Sequence, residues 1–203
     1  MDINLLFMIN GLSGHFKGLD IIMVLITKYG VVLYVLYGVL LWCAPGQDST
    51  QKQRRKSLLY ALFALILSSI ISGIWGMMFF RSRPFLTMPD DINQLVNHGN
   101  TASFPSNHSA FSMSMAFRFL VDGLPYAWGF VGLSILIGFS RLYVGVHYPT
   151  DVLGGFALAM ISNFLIVRIL FIRRLVDMLY ESSEFLSPLL SSGTSKNNRS
   201  SRQ

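Results

Sequence analysis

Three short stretches of this 203-residue chain gather side chains that hold anions and move protons. They are Arg81-Ser82-Arg83-Pro84, then Ser103-Phe104-Pro105-Ser106-Asn107-His108, then Ser140-Arg141 followed by His147 and Asp151. The guanidinium forks of Arg83 and Arg141 match pairs of phosphate oxygens, and their charge does not titrate away. Ser106 follows a proline and precedes an apolar run, which is the place of a helix N-cap. Backbone amides of Asn107 and His108 at such a helix start would face outward as an anion site. His108 stands at the same spot and could give or take a proton near neutral pH. His147 and Asp151 are four residues apart, and Pro149 between them is suited to open a helix. A carboxylate that holds one imidazole nitrogen leaves the other free as a nucleophile.

Each of these residues alone has an ordinary explanation. Arginines anchor helix ends, histidines pack or cap, and an aspartate near a helix start is favoured by the dipole. As a group they are costly, because an ionisable side chain costs about 2.5–3.5 kcal/mol at the centre of a membrane helix. Several of them near hydrocarbon therefore point to function. Two histidines and one aspartate could also ligate a metal. Two neighbouring guanidinium charges repel a divalent cation and suit an anion, so neither a metal nor another cofactor is expected.

The elements that must position these residues are mostly membrane helices. Charged residues make up 13% of the chain, about half the roughly 25% of a soluble domain. Hydrophobic residues make up 52% and come in blocks: Tyr29–Gln47, Ser57–Phe80, Gly123–Ser140 and Val152–Val167 hold no charge at all. A hydrocarbon core of about 30 Å takes roughly 20 apolar residues per helix. The pattern predicts an all-α, polytopic membrane helix bundle with five spans, near Leu19–Ala44, Ser57–Phe80, Asn107–Leu120, Leu124–Phe139 and Asp151–Phe171. The third and fourth are short, about 20–25 Å at about 1.5 Å per residue, and should leave a recess at one end. Ile3–Ser13 has apolar residues at helical spacing, interrupted by Asn10, and reads as an N-terminal interfacial helix. Residues 1–181 form the membrane domain on this reading, and the Ser-rich residues 182–203 form a disordered cytoplasmic tail.

Lysines and arginines near the span ends set the orientation. One side collects Lys52, Arg54, Arg55, Lys56, Arg118 and the basic residues after the last span. The other has only Lys17, Arg81, Arg83 and Arg141. The expected arrangement has the N-terminus outside, the C-terminus in the cytoplasm and all three polar stretches on the outer side. This topology, rather than nucleic-acid binding, accounts for the net charge of +6. The first residues lack the basic start of a signal peptide, and Cys43, the single cysteine, cannot pair within the chain.

Arg83-Pro84, Pro105-Ser106-Asn107-His108, and Ser140-Arg141 with His147 and Asp151 resemble the three signature motifs of the type-2 phosphatidic acid phosphatase superfamily. That superfamily also includes the vanadium haloperoxidases. The motifs run from about Gly76 to Gly155 of this chain. The resemblance implies a phosphatase in which His147 attacks the terminal phosphorus and forms a phosphohistidine, with Asp151 orienting it. His108 would protonate the leaving oxygen and then activate water. Arg83, Ser106, the Asn107 amide and Arg141 would hold the phosphoryl oxygens, and no metal would be needed.

Two positions depart from that pattern. The family lysine seven residues before the Arg-Pro pair is Gly76 here, and the glycine after the motif serine is Asn107. Arg81 or Lys28 could supply the missing charge, although an interfacial anchor and a snorkelling lysine are their ordinary roles. The lost lysine, the compact length and the His147-Tyr148-Pro149-Thr150-Asp151 form of the third motif resemble the bacterial undecaprenyl-diphosphatases linked to bacitracin resistance. That likeness implies a bacterial plasma-membrane enzyme that acts on an isoprenoid diphosphate at the outer face and recycles the peptidoglycan carrier lipid. Phosphatidic acid or phosphatidylglycerophosphate as substrate, a non-hydrolytic lipid transporter, and a vanadate-dependent halide oxidant are the alternatives.

Overall fold

Helices form over all five of the predicted spans. The computed structural model describes residues 1–195, whose helices are α1 (Asp2–Asn10), α2 (Lys17–Cys43), α3 (Asp48–Met78), α4 (Pro84–Thr87), α5 (Asn107–Val121), α6 (Ala127–Tyr143), α7 (Pro149–Ile166) and α8 (Leu170–Ser195). Among the described residues no strand is formed. By length and composition α2, α3 and α7 can cross a membrane, and α6 is a shorter apolar helix. The remaining predicted span, α5, is shorter still and rich in serine.

That serine content explains why α5 sits at the centre, packed against α3, α6 and α7. Ser109, Ala110, Ser112, Ser114 and Ala116 are buried along it, and small side chains let neighbouring backbones come close. Their hydroxyls find partners in other helices. Ser112 Oγ lies 2.9 Å from Ser134 Oγ, and Asn163 of α7 donates from Nδ2 to the carbonyl and the hydroxyl of Ser114. An apolar core around Tyr34, Phe119 and Ile137 fills the space between α2, α5 and α6. The opposite faces of α2 and α3 expose Ile21, Leu25, Leu36, Leu40, Leu62, Ile66, Ile70 and Ile74. In water such faces would drive association, whereas lipid tails are as apolar as leucine.

Three boundaries differ from expectation. The basic segment before Ser57 is not a loop but the first turns of α3. There Arg55 stacks over Trp42 at 5.3 Å and donates to its carbonyl, and Gln53 donates to the Asp122 carbonyl. The last predicted span ends at Ile166, and the chain breaks at 167–169 before α8, which packs against α3. Hydropathy alone does not mark that break, because apolar residues continue on both sides of it. Finally, α8 carries helix past residue 181 to Ser195, with Leu175, Leu179, Leu186 and Leu190 recurring at helical spacing. Residues 196–203, the end of the expected disordered tail, lie outside the described residues.

The N-terminal segment is a short helix followed by turns, lying against α6 and α7. Asn10, the residue that interrupts its apolar pattern, is buried and acts as a bracket. Its side chain accepts from Asn93 N and donates to the carbonyls of Asn93 and Tyr143, all within 2.9 Å. The α4–α5 connection is thereby tied to the end of α6.

Candidate active site

His147 sits in the connection between α6 and α7, reached through Gly145 in a left-handed turn (φ +77°). A Cβ at Gly145 would stand 2.6 Å from Ile92 Cγ2, so the turn requires glycine. Two residues later His147 is 2% exposed, and Asp151, in the first turn of α7, is fully buried. Asp151 Oδ2 accepts from Tyr148 N at 2.8 Å and from Ser103 Oγ at 2.5 Å. The first of these bonds is the side-chain half of a capping box, which locks the carboxylate at the helix start. Asp151 Oδ2 then lies 3.4 Å from His147 Nδ1.

The other ring nitrogen faces Arg83. Arg83 Nη1 is 3.2 Å from His147 Nε2, and a guanidinium can only donate, so Nε2 presents its lone pair and Nδ1 carries the hydrogen toward Asp151. Burial, above all, pushes the His147 imidazole far below its ordinary pKa. The pull of Asp151 opposes that push, and the charges of Arg141 and Arg83 add to it. A neutral imidazole with an unprotonated Nε2 is a competent nucleophile once Arg83 Nη1 moves off it.

The two motif arginines serve different ends. Arg83 is 4% exposed, and its five N–H groups are all engaged. They reach the Thr101 carbonyl and hydroxyl, the Ala102 and Val146 carbonyls, and His147 Nε2, at 2.9–3.2 Å. Arg141, in the last turn of α6, is 2% exposed, yet its Nε and Nη2 have no hydrogen-bond partner among the described residues. The charges of Arg83 and Arg141 act on one another and on His147. A buried cation with unpaired donors costs several kcal/mol unless an anion meets it.

Ser106 caps α5 as the sequence predicts, accepting from Ser109 N at 3.5 Å and Ser109 Oγ at 3.0 Å. Its own N–H donates to the Asp151 carbonyl at 3.0 Å. This contact exists because α7 comes very close: a Cβ on Gly155 would be 2.6 Å from the Ser106 carbonyl. Asn107, the next residue, turns its side chain to α3 and accepts from Ser72 Oγ at 2.6 Å. His108 lines a cleft of about 270 Å³ with Val31, Leu65, Ser69, Asn107 and Phe111. Leu65 and Phe111 also border an apolar furrow of about 380 Å³ between α2 and α3, which reaches Trp42.

All seven residues singled out by the motifs therefore belong to one end of the bundle, at the starts of α4, α5 and α7 and the end of α6. Other members of the site are not evident from the motifs. Arg81, read as an interfacial anchor, instead bridges two carboxylates: Nη1 lies 2.7 Å from Asp151 Oδ1 and Nη2 lies 2.7 Å from Asp2 Oδ2. Its guanidinium stacks 3.9 Å above the Tyr148 ring, and Asp2 also accepts from the amide and hydroxyl of Thr150. His98, a lone histidine in a polar connection, brings its ring to 6.5 Å from that of His147. Lys28 is exposed on α2. At Gly76 a Cβ would be 3.0 Å from Ala102 Cβ, so α3 runs tight against the 101–105 segment where the family carries its lysine. Among the described residues no three His, Cys, Asp or Glu side chains converge to hold a metal ion.

The arrangement offers an imidazole oriented by a carboxylate, a second imidazole that feels the charges of Arg141 and Arg83, and a buried cation that calls for an anion. Comparison with known proteins gives the family and the fold neighbours of the chain. Residues 57–175 match the sequence model of the PAP2 superfamily. Undecaprenyl-diphosphatase BcrC of Bacillus subtilis is 37% identical over 160 residues, covering 79% of each chain. Among solved structures, Aquifex aeolicus LpxE superposes with a TM-score of 0.67 at 23% identity, covering 83% of this chain and 95% of that one. The PAP2-type phosphatidylglycerolphosphate phosphatase of Bacillus subtilis superposes with a TM-score of 0.58 at 27% identity, covering 80% and 82%.

Proposed function

This chain belongs to the PAP2 superfamily, and on that premise we propose that it hydrolyses undecaprenyl diphosphate to undecaprenyl phosphate and inorganic phosphate. The observation that carries the reaction class is Arg141, buried with unpaired donors in the same site as a neutral His147. The substrate follows from the 37% identity to an undecaprenyl-diphosphatase over most of both chains. In this reading the protein is a five-span enzyme of the bacterial plasma membrane with its N-terminus and active site outside. It returns the carrier lipid to peptidoglycan synthesis and thereby supports bacitracin resistance.

In the mechanism, Nε2 of His147 attacks the terminal phosphorus while the bond from phosphorus to the bridging oxygen breaks. Asp151 stabilises the charge that develops on the ring and holds its Nδ1–H. His108 gives a proton to the departing lipid phosphate. It then takes one from a water molecule that attacks the phosphohistidine and releases inorganic phosphate. Arg141, the Ser106 hydroxyl and the Asn107 amide bind the non-bridging oxygens, and Arg83 passes Nη1 from the imidazole to the phosphoryl group as attack proceeds. Donors fixed in place before the reaction stabilise its charge at little cost in reorganisation. The arginines supply positive charge, so the step is metal-independent. The furrow that leads from His108 between α2 and α3 suits the apolar chain of the leaving group.

The test is phosphate release by the detergent-purified protein, in EDTA, from undecaprenyl diphosphate and from phosphatidic acid. Faster release from the isoprenoid diphosphate is expected. Preference for phosphatidic acid would move the enzyme to phospholipid metabolism. No release from either lipid would leave a non-hydrolytic transporter, and activity restored only by added divalent ions would make the histidines metal ligands.

A further inference from the structure

One histidine outside the three motifs reaches the site. His98 lies in the α4–α5 connection, its ring 6.5 Å from that of His147 and inclined to it at 73°, edge toward face. We propose that His98 is a substrate-binding residue that holds a non-bridging oxygen of the terminal phosphoryl group through Nε2. The proposal rests on the phosphatase reading and adds to it a ligand that the family motifs do not contain.

The position of His98 is built rather than incidental. On one side Leu95 N donates to the Val144 carbonyl at 3.3 Å, and Val96 is buried against Val144 and Val146. On the other side Thr101 is held through its carbonyl and hydroxyl by Arg83. The short segment that carries His98 is thus pinned at both ends by walls of the site. His98 Nδ1 lies 3.2 Å from the Gly99 carbonyl. A carbonyl only accepts, so Nδ1 carries the hydrogen and Nε2 is left for a partner.

The site also needs another donor. All five N–H groups of Arg83 are taken by protein, so it can release few of them to a substrate. The lysine that other family members carry is replaced by Gly76, which packs against Ala102. In-line attack by His147 puts the leaving oxygen on the far side, with His108, and spreads the non-bridging oxygens around the axis. His98 stands beside the nucleophile's ring and so faces those oxygens rather than the leaving group.

The charged and titratable groups around His98 are Arg83 at the start of α4, Arg141 of α6, His108 of α5 and His147. Burial first, and then the two guanidinium charges, hold its pKa below the ordinary histidine value, while the Gly99 carbonyl pulls the other way. Before an anion arrives the ring is therefore neutral. A bound phosphate reverses the local field, and Nε2 takes up a proton that it donates to a phosphoryl oxygen. Phosphate binding is then coupled to uptake of a proton by this residue.

Calorimetry with inorganic phosphate tests this on the full-length protein in detergent, in two buffers of different ionisation enthalpy so that protons are counted. His98→Gln should weaken phosphate binding roughly tenfold to a hundredfold, the range for one hydrogen bond to a charged group, and should lower proton uptake by about one. His98→Arg should restore much of the affinity without restoring the uptake, which a packing role would not do. Wild-type protein that fails to bind phosphate would overturn the phosphatase reading itself. Normal wild-type binding, with unchanged affinity and uptake in His98→Gln, would overturn the assignment of His98 alone. Weakened binding that His98→Arg does not recover, with proton uptake unchanged, would likewise make His98 a packing residue.

Discussion

Both ends of the helix bundle carry basic residues, and they treat them in opposite ways. At the end formed by the α2–α3 and α5–α6 connections, several cations meet carboxylates or carbonyls of the chain. Lys56 pairs with Asp177, Arg118 with Asp122 four residues on, and Arg55 with the Trp42 carbonyl. At the other end Arg83 and Arg141 are nearly inaccessible, and the buried carboxylate among them, Asp151, is already engaged by Ser103, Tyr148 and Arg81. In the proposed reading the same residue type orients the chain at one end and holds an anion at the other. A second buried guanidinium and a buried imidazole beside Arg141, not charge alone, separate the two ends.

Replacing one arginine from each end should sharpen that contrast. Arg141→Met is expected to cut turnover by a factor on the order of 10²–10³, the usual cost of losing a preorganised donor. The same change should leave thermal unfolding of the substrate-free protein unchanged or raise it, because it removes a buried charge that lacks full pairing. A large loss of stability in that variant would show that Arg141 is a structural residue. Arg118→Met, at the far end, should keep turnover within about twofold and cost no more than about 1 kcal/mol, as partly exposed ion pairs do. A collapse of activity there would erase the distinction between the ends.

The smallest effect is expected at the edge of the site. Burial alone would raise the Asp2 carboxyl, but hydrogen bonds from Arg81 and Thr150 outweigh it and hold the group below its ordinary 3.8. A depressed carboxyl stabilises the fold above its unfolded value, and that contribution fades as pH falls through the folded value. Asp2→Asn should therefore lower stability by up to about 1 kcal/mol at neutral pH, and the gap to wild type should close in acid. A gap that persists unchanged in acid would mean that the carboxylate charge is not what holds α1 in place.

The candidate catalytic end is more legible in the sequence than the path of the chain around it. Residue types and local spacing sufficed for Ser106 as a cap, and for His147 and Asp151 across Pro149, because those relations span a single turn. The five spans predicted from the apolar pattern likewise coincide with helices. Charged residues at helix ends were harder to read: Gln47–Lys56 looks like a loop until Trp42 and Asp122 supply its partners. Arg81 reads as an interfacial anchor in the sequence because Asp2, its second partner, is 79 positions away in the chain. His98 has no motif spacing at all, and long-range contacts such as the Asn10 bracket, the Leu95–Val144 bond and the Arg83–Thr101 bonds bring its segment to the site. The contrast between a saturated Arg83 and an unpaired Arg141 belongs to tertiary packing, since both look alike as residues.

The central claim is that His147 becomes covalently phosphorylated, and rapid quench with substrate labelled in its terminal phosphate tests it most directly. Label that stays on the protein in alkali, leaves in acid and maps to His147 is the predicted result. In His108→Gln it should form more slowly and also decay more slowly, because both steps use that imidazole, and it should be absent in His147→Ala. Phosphate released at normal rates by the His147→Ala protein, or label found on another residue, would contradict the account.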